Sequence, residues 1–330
     1  VKEVTFPKLK LSLSFVVIVL SVITCSNEEV IVGNGATTYE FNAVTQNSGT
    51  TMDLLDIFFT DARNGWAVGD SGTILHTSDG GANWTPQSSA TLKVLHGVSF
   101  INADTGWVAG EGGTVLHTFD GGDTWQDQSP GGVDLTDVTF FDSFRGWAVG
   151  NKVILKTTNN GKAWDTTAAD DWLFGVSFPD ENNGWAVGHR GIILRTNNGG
   201  RSWISQGSNA LNPLLDVTFI DLNNGWVVGV DGTFILHTSD GGANWSKQDS
   251  RANEVLRGVA FGDSQIGIAV GDSGTTRTTL DGGKTWTVEP RVVTGTLRKV
   301  AFGDADNIWI AGDNGVILKM TRVEVKGSGK

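Results

Sequence analysis

One aromatic position recurs along nearly the whole chain, as Phe59, Phe100, Phe140, Phe178, Phe219, Phe261 and Phe302, at steps of 41, 40, 38, 41, 42 and 41 residues. A period that drifts so little marks a fold built by stacking one supersecondary unit on copies of itself. It overrides the two-domain expectation that 330 residues would otherwise carry. Six residues after each Phe stands GWAVG or a relative, from Gly65-Trp66 through Gly267-Ile268 to Ile308-Trp309. Each unit reads as four strands: an aliphatic one ending at the Phe (a), the GWAVG strand (b), a TILHT-like strand (c) and a short one opening at a second Trp (d). The abundance of Gly (45) and Trp (13) and the scarcity of Pro (6) suit many short strands joined by tight turns.

The expected fold is therefore all-β, a seven-bladed β-propeller with four antiparallel strands per blade. The seventh unit stops at Met320-Thr321-Arg322 without a d strand, and Tyr39 to Gln46 precedes the first a strand where a d strand belongs. Pairing the two closes the ring and covers a sheet edge. The organisation expected is a signal peptide over 1–24, a lipidated Cys and tether over 25–38, the propeller over 39–322 and a tail over 323–330.

Between c and d lies Thr77-Ser-Asp79-Gly-Gly-Ala-Asn-Trp84, repeated in register at Thr118, Thr157, Thr196, Thr238 and Thr279. It resembles the Asp box of bacterial neuraminidase repeats. Asp79, Asp120, Asn159, Asn198, Asp240 and Asp281 are expected to be structural fasteners, accepting hydrogen bonds from their own turns rather than contacting a ligand.

The formal charge is −12; residues 1–24 carry three Lys and one Glu, so a chain cleaved after residue 24 carries −14. No basic stripe interrupts that acidity, which excludes nucleic acid as a partner. Lys2, Lys8 and Lys10 precede the apolar run Leu11 to Ile23, which reads as an export signal too short to span a bilayer. The only cysteine follows in Val22-Ile23-Thr24-Cys25, which resembles a bacterial lipobox with Thr24 in place of the usual small residue. The expectation is an exported lipoprotein, membrane-anchored through Cys25 and facing a periplasm, lumen or the exterior. The other reading is an ordinary cleaved signal with an incidental cysteine.

The two propeller faces differ. The a-b and c-d turns keep one template, whereas the spans crossing the b-c turns (11 to 13 residues, Gly to Thr) and the d-a loops (14 to 16, Trp to Phe) vary. Function on a rigid scaffold resides on variable loops. That face is expected to present Trp172, Arg190 and Arg251, with His96, Arg257 and Arg298 near the channel mouth, as contacts for a partner protein. The bland reading is that Trp172 packs under its own loop and the arginines are merely solvated. His76, His117 and His237 occupy one equivalent position in three blades, so they cannot converge on a metal. No metal or cofactor is expected. Asp56, Asp137 and Asp216 alternate with glycines along strand a; a ring of channel carboxylates or simple pairing with Lys299 both fit.

The exported signal, the DxxxGWAVG...T.DGG..W units and the ring closed by its N-terminal strand together resemble the photosystem II assembly/stability factor family of propellers, over residues 39–322. The resemblance implies a non-enzymatic assembly or scaffold factor that binds a partner protein, a membrane protein complex among the candidates. Neuraminidase chemistry, as that resemblance implies it, needs a Tyr-Glu pair and an arginine triad, and the single Tyr39 falls in the outermost strand. The competing function is a secreted carbohydrate-binding or glycoside hydrolase propeller with a glycan ligand, against which stands the absence of any loop long enough to form a deep cleft.

Overall fold

The computed structural model describes residues 38–325, so the expected signal peptide and tether, Cys25 among them, lie outside the described part up to residue 37, as do the last five residues. The described residues form seven sheets of four antiparallel strands each. Blade 1 runs Leu54–Phe59, Gly65–Gly69, Ile74–Thr77 and Thr85–Gln87 as strands a to d, and blades 2 to 6 repeat that order. Blade 7 supplies a (Leu297–Phe302), b (Asn307–Gly312) and c (Ile317–Val325) and borrows its d strand from the other end of the chain. Thr38–Gln46 pairs antiparallel with Ile317–Val325, Thr38 opposite Val325 and Gln46 opposite Ile317. The closure read from the repeat is present. Its last strand continues to Val325, three residues past the expected end of the propeller at 322, with Val323, Glu324 and Val325 opposite Glu40, Tyr39 and Thr38; Arg322 lies beside them, its guanidinium 4.5 Å above the Tyr39 ring and its Nε donating to Asp306.

Burial explains the strand compositions. Strand b is covered on both sides by its own blade and its neighbour and is buried at every residue of blades 1 to 6, so it alternates one large indole with small side chains. Strands d lie on the rim and are short and polar.

The blades are joined by one repeated device. The strand-b Trp of one blade stacks on the Phe that ends strand a of the next, with ring centroids 3.6 to 3.7 Å apart, at six of the seven junctions. At five of these the indole N–H also donates to a Gly carbonyl in the c-d turn of that next blade, as Trp66 does to Gly121 at 2.9 Å. The exception is Trp107, which faces a turn carrying Asn160 in place of the Gly. Between blades 6 and 7 there is no Trp and no c-d turn motif. An aliphatic cluster of Ile268, Val270, Val300, Ile310, Leu318 and Met320, completed by Phe41, fills that junction instead.

The c-d turns behave as fasteners. Thr77 Oγ1 donates to Asp79 Oδ1 and accepts from the Gly81 N–H, while Asp79 Oδ1 accepts from the Asn83 N–H at 2.9 Å. The same pattern recurs around Asp120, Asn159, Asn198, Asp240 and Asp281. The side chain and backbone of Asn83 hold the Asp79 carboxyl down to about 2. Asp281→Ala removes three such bonds and is expected to cost about 1 kcal/mol, read as a small fall in the urea midpoint with an unchanged slope.

Candidate functional site

Strands a of adjacent blades contact one another around the whole ring and form its hub. All seven carry a β-bulge at the same place: the ladder with strand b skips one residue between Leu54 and Asp56, and likewise up to Leu297 and Lys299. The skipped residues are Leu55, His96, Thr136, Phe174, Leu215, Arg257 and Arg298, all half-buried. A bulge bends the strand and re-aims its side chain, so a position that plain alternation would send to one side of the sheet is turned toward the mouth of the hub.

The face around that mouth is built from b-c turns and d-a loops tied backbone to backbone, as where Asp70 N–H donates to Asp53 O and His189 N–H to Trp172 O. The b-c turns of blades 1, 2, 4, 6 and 7 are single 3-10 turns whose middle residue is left-handed. In blade 4 that residue is Arg190, with φ of 56° and its side chain 81% exposed. Gly191 follows at φ 72°, where a Cβ would lie 2.1 Å from the Ala210 carbonyl oxygen; no other residue fits.

The structure brings Trp172 and Arg190 together. Arg190 Nε lies 3.4 Å from Asp171 Oδ2 and His189 Nδ1 lies 3.2 Å from the same oxygen, while the Trp172 N–H donates to Asp171 Oδ1. Trp172 is 39% exposed and leans toward Phe174, ring centroids 6.2 Å apart. Arg257 and Arg298 stand on blades 6 and 7, with blade 5 between them and this cluster. Arg257 is paired with Asp272, and Arg298 with Asp313 at 2.6 Å and Asp53 at 3.6 Å, so each is neutralised by the b-c turn of its own blade. His96 sits on blade 2, where burial holds its pKa below the ordinary value against the pull of Glu111 and Asp134. Arg251 is exposed on the loop entering blade 6, left-handed at φ 54°, and its carbonyl accepts from the buried Arg277.

Of the apolar side chains of this face, sequence reasoning named Trp172 and passed over the rest. The loops leading into blades 1 to 5 expose, in turn, Met52, Leu92, Val133, Trp172 and Leu211, at 42, 85, 41, 39 and 91%. Their signal was an apolar residue one to three places before the first Leu of strand a. Arg277 was also missed: only the fold shows that its guanidinium caps the carbonyls of Ser250, Arg251 and Thr276.

The histidines do not converge. His76, His117 and His237 each lie flat against the strand-b indole of their own blade, and Arg195 and Lys319 cover the equivalent indoles. Among the described residues no group of three or more His, Cys, Asp and Glu is placed to hold a metal.

Beneath the mouth, the residue after each bulge lines the hub in the order Asp56, Gly97, Asp137, Gly175, Asp216, Gly258, Lys299. The alternation has a mechanical reason. Each Asp straddles a junction, Oδ1 accepting from the next N–H of its own strand and Oδ2 from the neighbouring blade: Asp56 from Val98, Asp137 from Val176, Asp216 from Val259, at 2.8 to 2.9 Å. Each Gly admits the following strand, since a Cβ on Gly97 would lie 3.0 Å from the Asp137 Cα. At two of the remaining junctions Ser99 and Ser177 accept instead, from the Phe140 and Phe219 N–H groups. An odd ring cannot alternate, and an Asp at the seventh place, on blade 7, would sit beside Asp56. That position is Lys299, whose Nζ donates to Asp216 at 2.6 Å. Burial disfavours the Lys299 charge, but Asp216, Asp137 and Asp56 outweigh it and hold its pKa above the ordinary value.

The sequence profile of a family described as photosynthesis system II assembly factor YCF48 matches residues 36–133 and 128–206, together more than half of the chain. The chain belongs to this family. Among solved structures it is similar to one described as YCF48 bound to D1 peptide, at 23% identity and a TM-score of 0.73 over 85% of this chain and 96% of that one. It is similar to YCF48 from Cyanidioschyzon merolae at 24% identity and a TM-score of 0.71, over 84% of this chain and 98% of that one. The WD40 β-propeller domain of Doa1 superposes with a TM-score of 0.73 at 12% identity, over 87% of this chain and 97% of that one. No curated protein matches the chain. At these identities the superpositions show the fold, while the profile match shows the YCF48 family.

Proposed function

We propose that this YCF48-family chain is a non-enzymatic scaffold that holds an extended segment of a partner protein, a subunit of a membrane complex, on its variable face. The observation that carries this reading is the row of exposed apolar side chains on five successive loops, set beside paired charges, on the face whose loops vary. Exposed apolar anchors rimmed by polar groups suit protein contact. The relative described as YCF48 bound to D1 peptide supports a peptide as the chemistry recognised. Lipidation of Cys25 would keep the disc at a membrane surface on the outer side of the exporting membrane. Metabolic acyl labelling abolished by Cys25→Ser tests that part.

Leu92→Ser with Leu211→Ser, and separately Trp172→Ala with Arg190→Glu, remove side chains of the loop face, three of them largely exposed and Trp172 at 39%, and folding is expected to be unchanged, as checked by an unshifted urea midpoint. Recovery of a crosslinked partner from the native membranes is expected to fall at least about tenfold in each pair. Undiminished recovery in both pairs would refute the assignment of this face. Binding to a glycan array that is lost in Trp172→Ala but kept in Leu92→Ser would favour the carbohydrate reading instead.

A further inference from the structure

We propose that the hub is a proton-operated lock: the carboxylates in excess over Lys299 take up protons as the surroundings become mildly acidic, tightening the ring, and release them on alkalinisation. This stands apart from whatever the variable face binds. The geometry sets three carboxylates against one ammonium. Asp56, Asp137 and Asp216 are 6, 7 and 4% exposed, and Lys299 makes its contact with Asp216. Asp56 and Asp137 have backbone N–H donors but no ion pair among the described residues.

Among the described residues no other element brings a compensating charge. Gly97, Gly175 and Gly258 contribute none at hub level, and the strands b behind them contain no ionisable side chain in any blade. Arg257 and Arg298 lie one residue nearer the mouth and are committed to Asp272, Asp313 and Asp53; His96 lies at that same level. Burial pushes Asp56 up to about 7, with Asp137 adding to the rise against the pull of Lys299, and pushes Asp137 up to about 6 with Asp216 adding to it.

The sign follows from linkage. A carboxyl whose folded pKa is raised binds more protons folded than unfolded between the ordinary carboxylate range and neutrality, so stability grows as pH falls through that window and is lost as pH rises through the folded value. The histidines act oppositely. Burial lowers His76, His96, His117 and His237, so they weaken the fold as pH falls below their ordinary value.

The test compares wild type with the Asp56→Asn, Asp137→Asn double variant, which keeps every histidine, by urea unfolding from about pH 8.5 to about pH 5.5. The wild-type folding equilibrium is expected to gain at least about tenfold over the variant on acidification. Parallel pH profiles overturn the proposal. Should the variant fail to fold, infrared spectroscopy of the folded wild type with isotope-labelled aspartate decides: a protonated-carboxyl band near pH 6 supports the lock, and none until the pH falls into the ordinary carboxylate range refutes it.

Discussion

A chain that begins after Gln46, lacking Thr38–Gln46, is expected to lose the single cooperative unfolding transition of the chain that begins at Ser26. The segment buries Phe41 in the aliphatic junction between blades 6 and 7, and its Gln46 donates to Gly80 O while accepting from the Trp84 indole. Phe41 alone accounts for about 2–3 kcal/mol of apolar burial. The ladder to Ile317–Val325 would leave a nine-residue edge unpaired. That junction is the one with neither the Trp–Phe stack nor the c-d turn, so no other device compensates there. The expected result is a fall in Tm of more than about 10 °C, or unfolding in two steps with blade 7 opening first. A synthetic peptide of residues 38–46 added in trans is expected to restore part of the loss. An unchanged, single transition in the truncated chain would show that the ring does not depend on this strand.

Lys299→Met is the second large effect. Among the described residues its ammonium is the only cation in ion-pair contact with a hub carboxylate. Removing one partner of a buried ion pair leaves an uncompensated charge and costs about 3–5 kcal/mol, here with two more carboxylates adding to the repulsion. The loss is expected to be greatest at high pH, where Asp56 and Asp137 are both charged, and to shrink on acidification as they take up protons. Denaturant midpoints at alkaline and mildly acidic pH check this. A loss that grows on acidification, or none at all, would contradict the charge account of the hub.

Most of the architecture was legible because it is written in local spacing. The Phe period, the six-residue step to GWAVG and the seven-residue c-d motif each reflect a constraint within one blade, and one blade repeated leaves little freedom about how copies stack. The borrowed strand was legible by subtraction, since the seventh unit lacks one strand and the N-terminal segment offers one. The candidate face was less legible. Trp172 and Arg190 stand 18 positions apart in sequence, and only the backbone tie between their loop and turn sets them around Asp171. Arg257 and Arg298 were found as residues at the mouth, but their carboxylate partners come from the far end of the next strand.

Sequence periodicity alone determined that this chain is a ring of seven four-stranded blades closed by its own N-terminal strand, and that one face varies while the other does not. The tertiary structure decided what meets at the axis and the mouth. The equivalent positions of the repeat marked Arg298 as near the mouth and Lys299 as a candidate partner of the strand-a aspartates, but the bulge in every strand a breaks the two-residue alternation on which a strand is read, so which carboxylate each meets has no signature in the chain. The grouping of Asp56, Asp137, Asp216 and Lys299 exists only because ring closure brings together side chains more than eighty residues apart, where no local rule reaches.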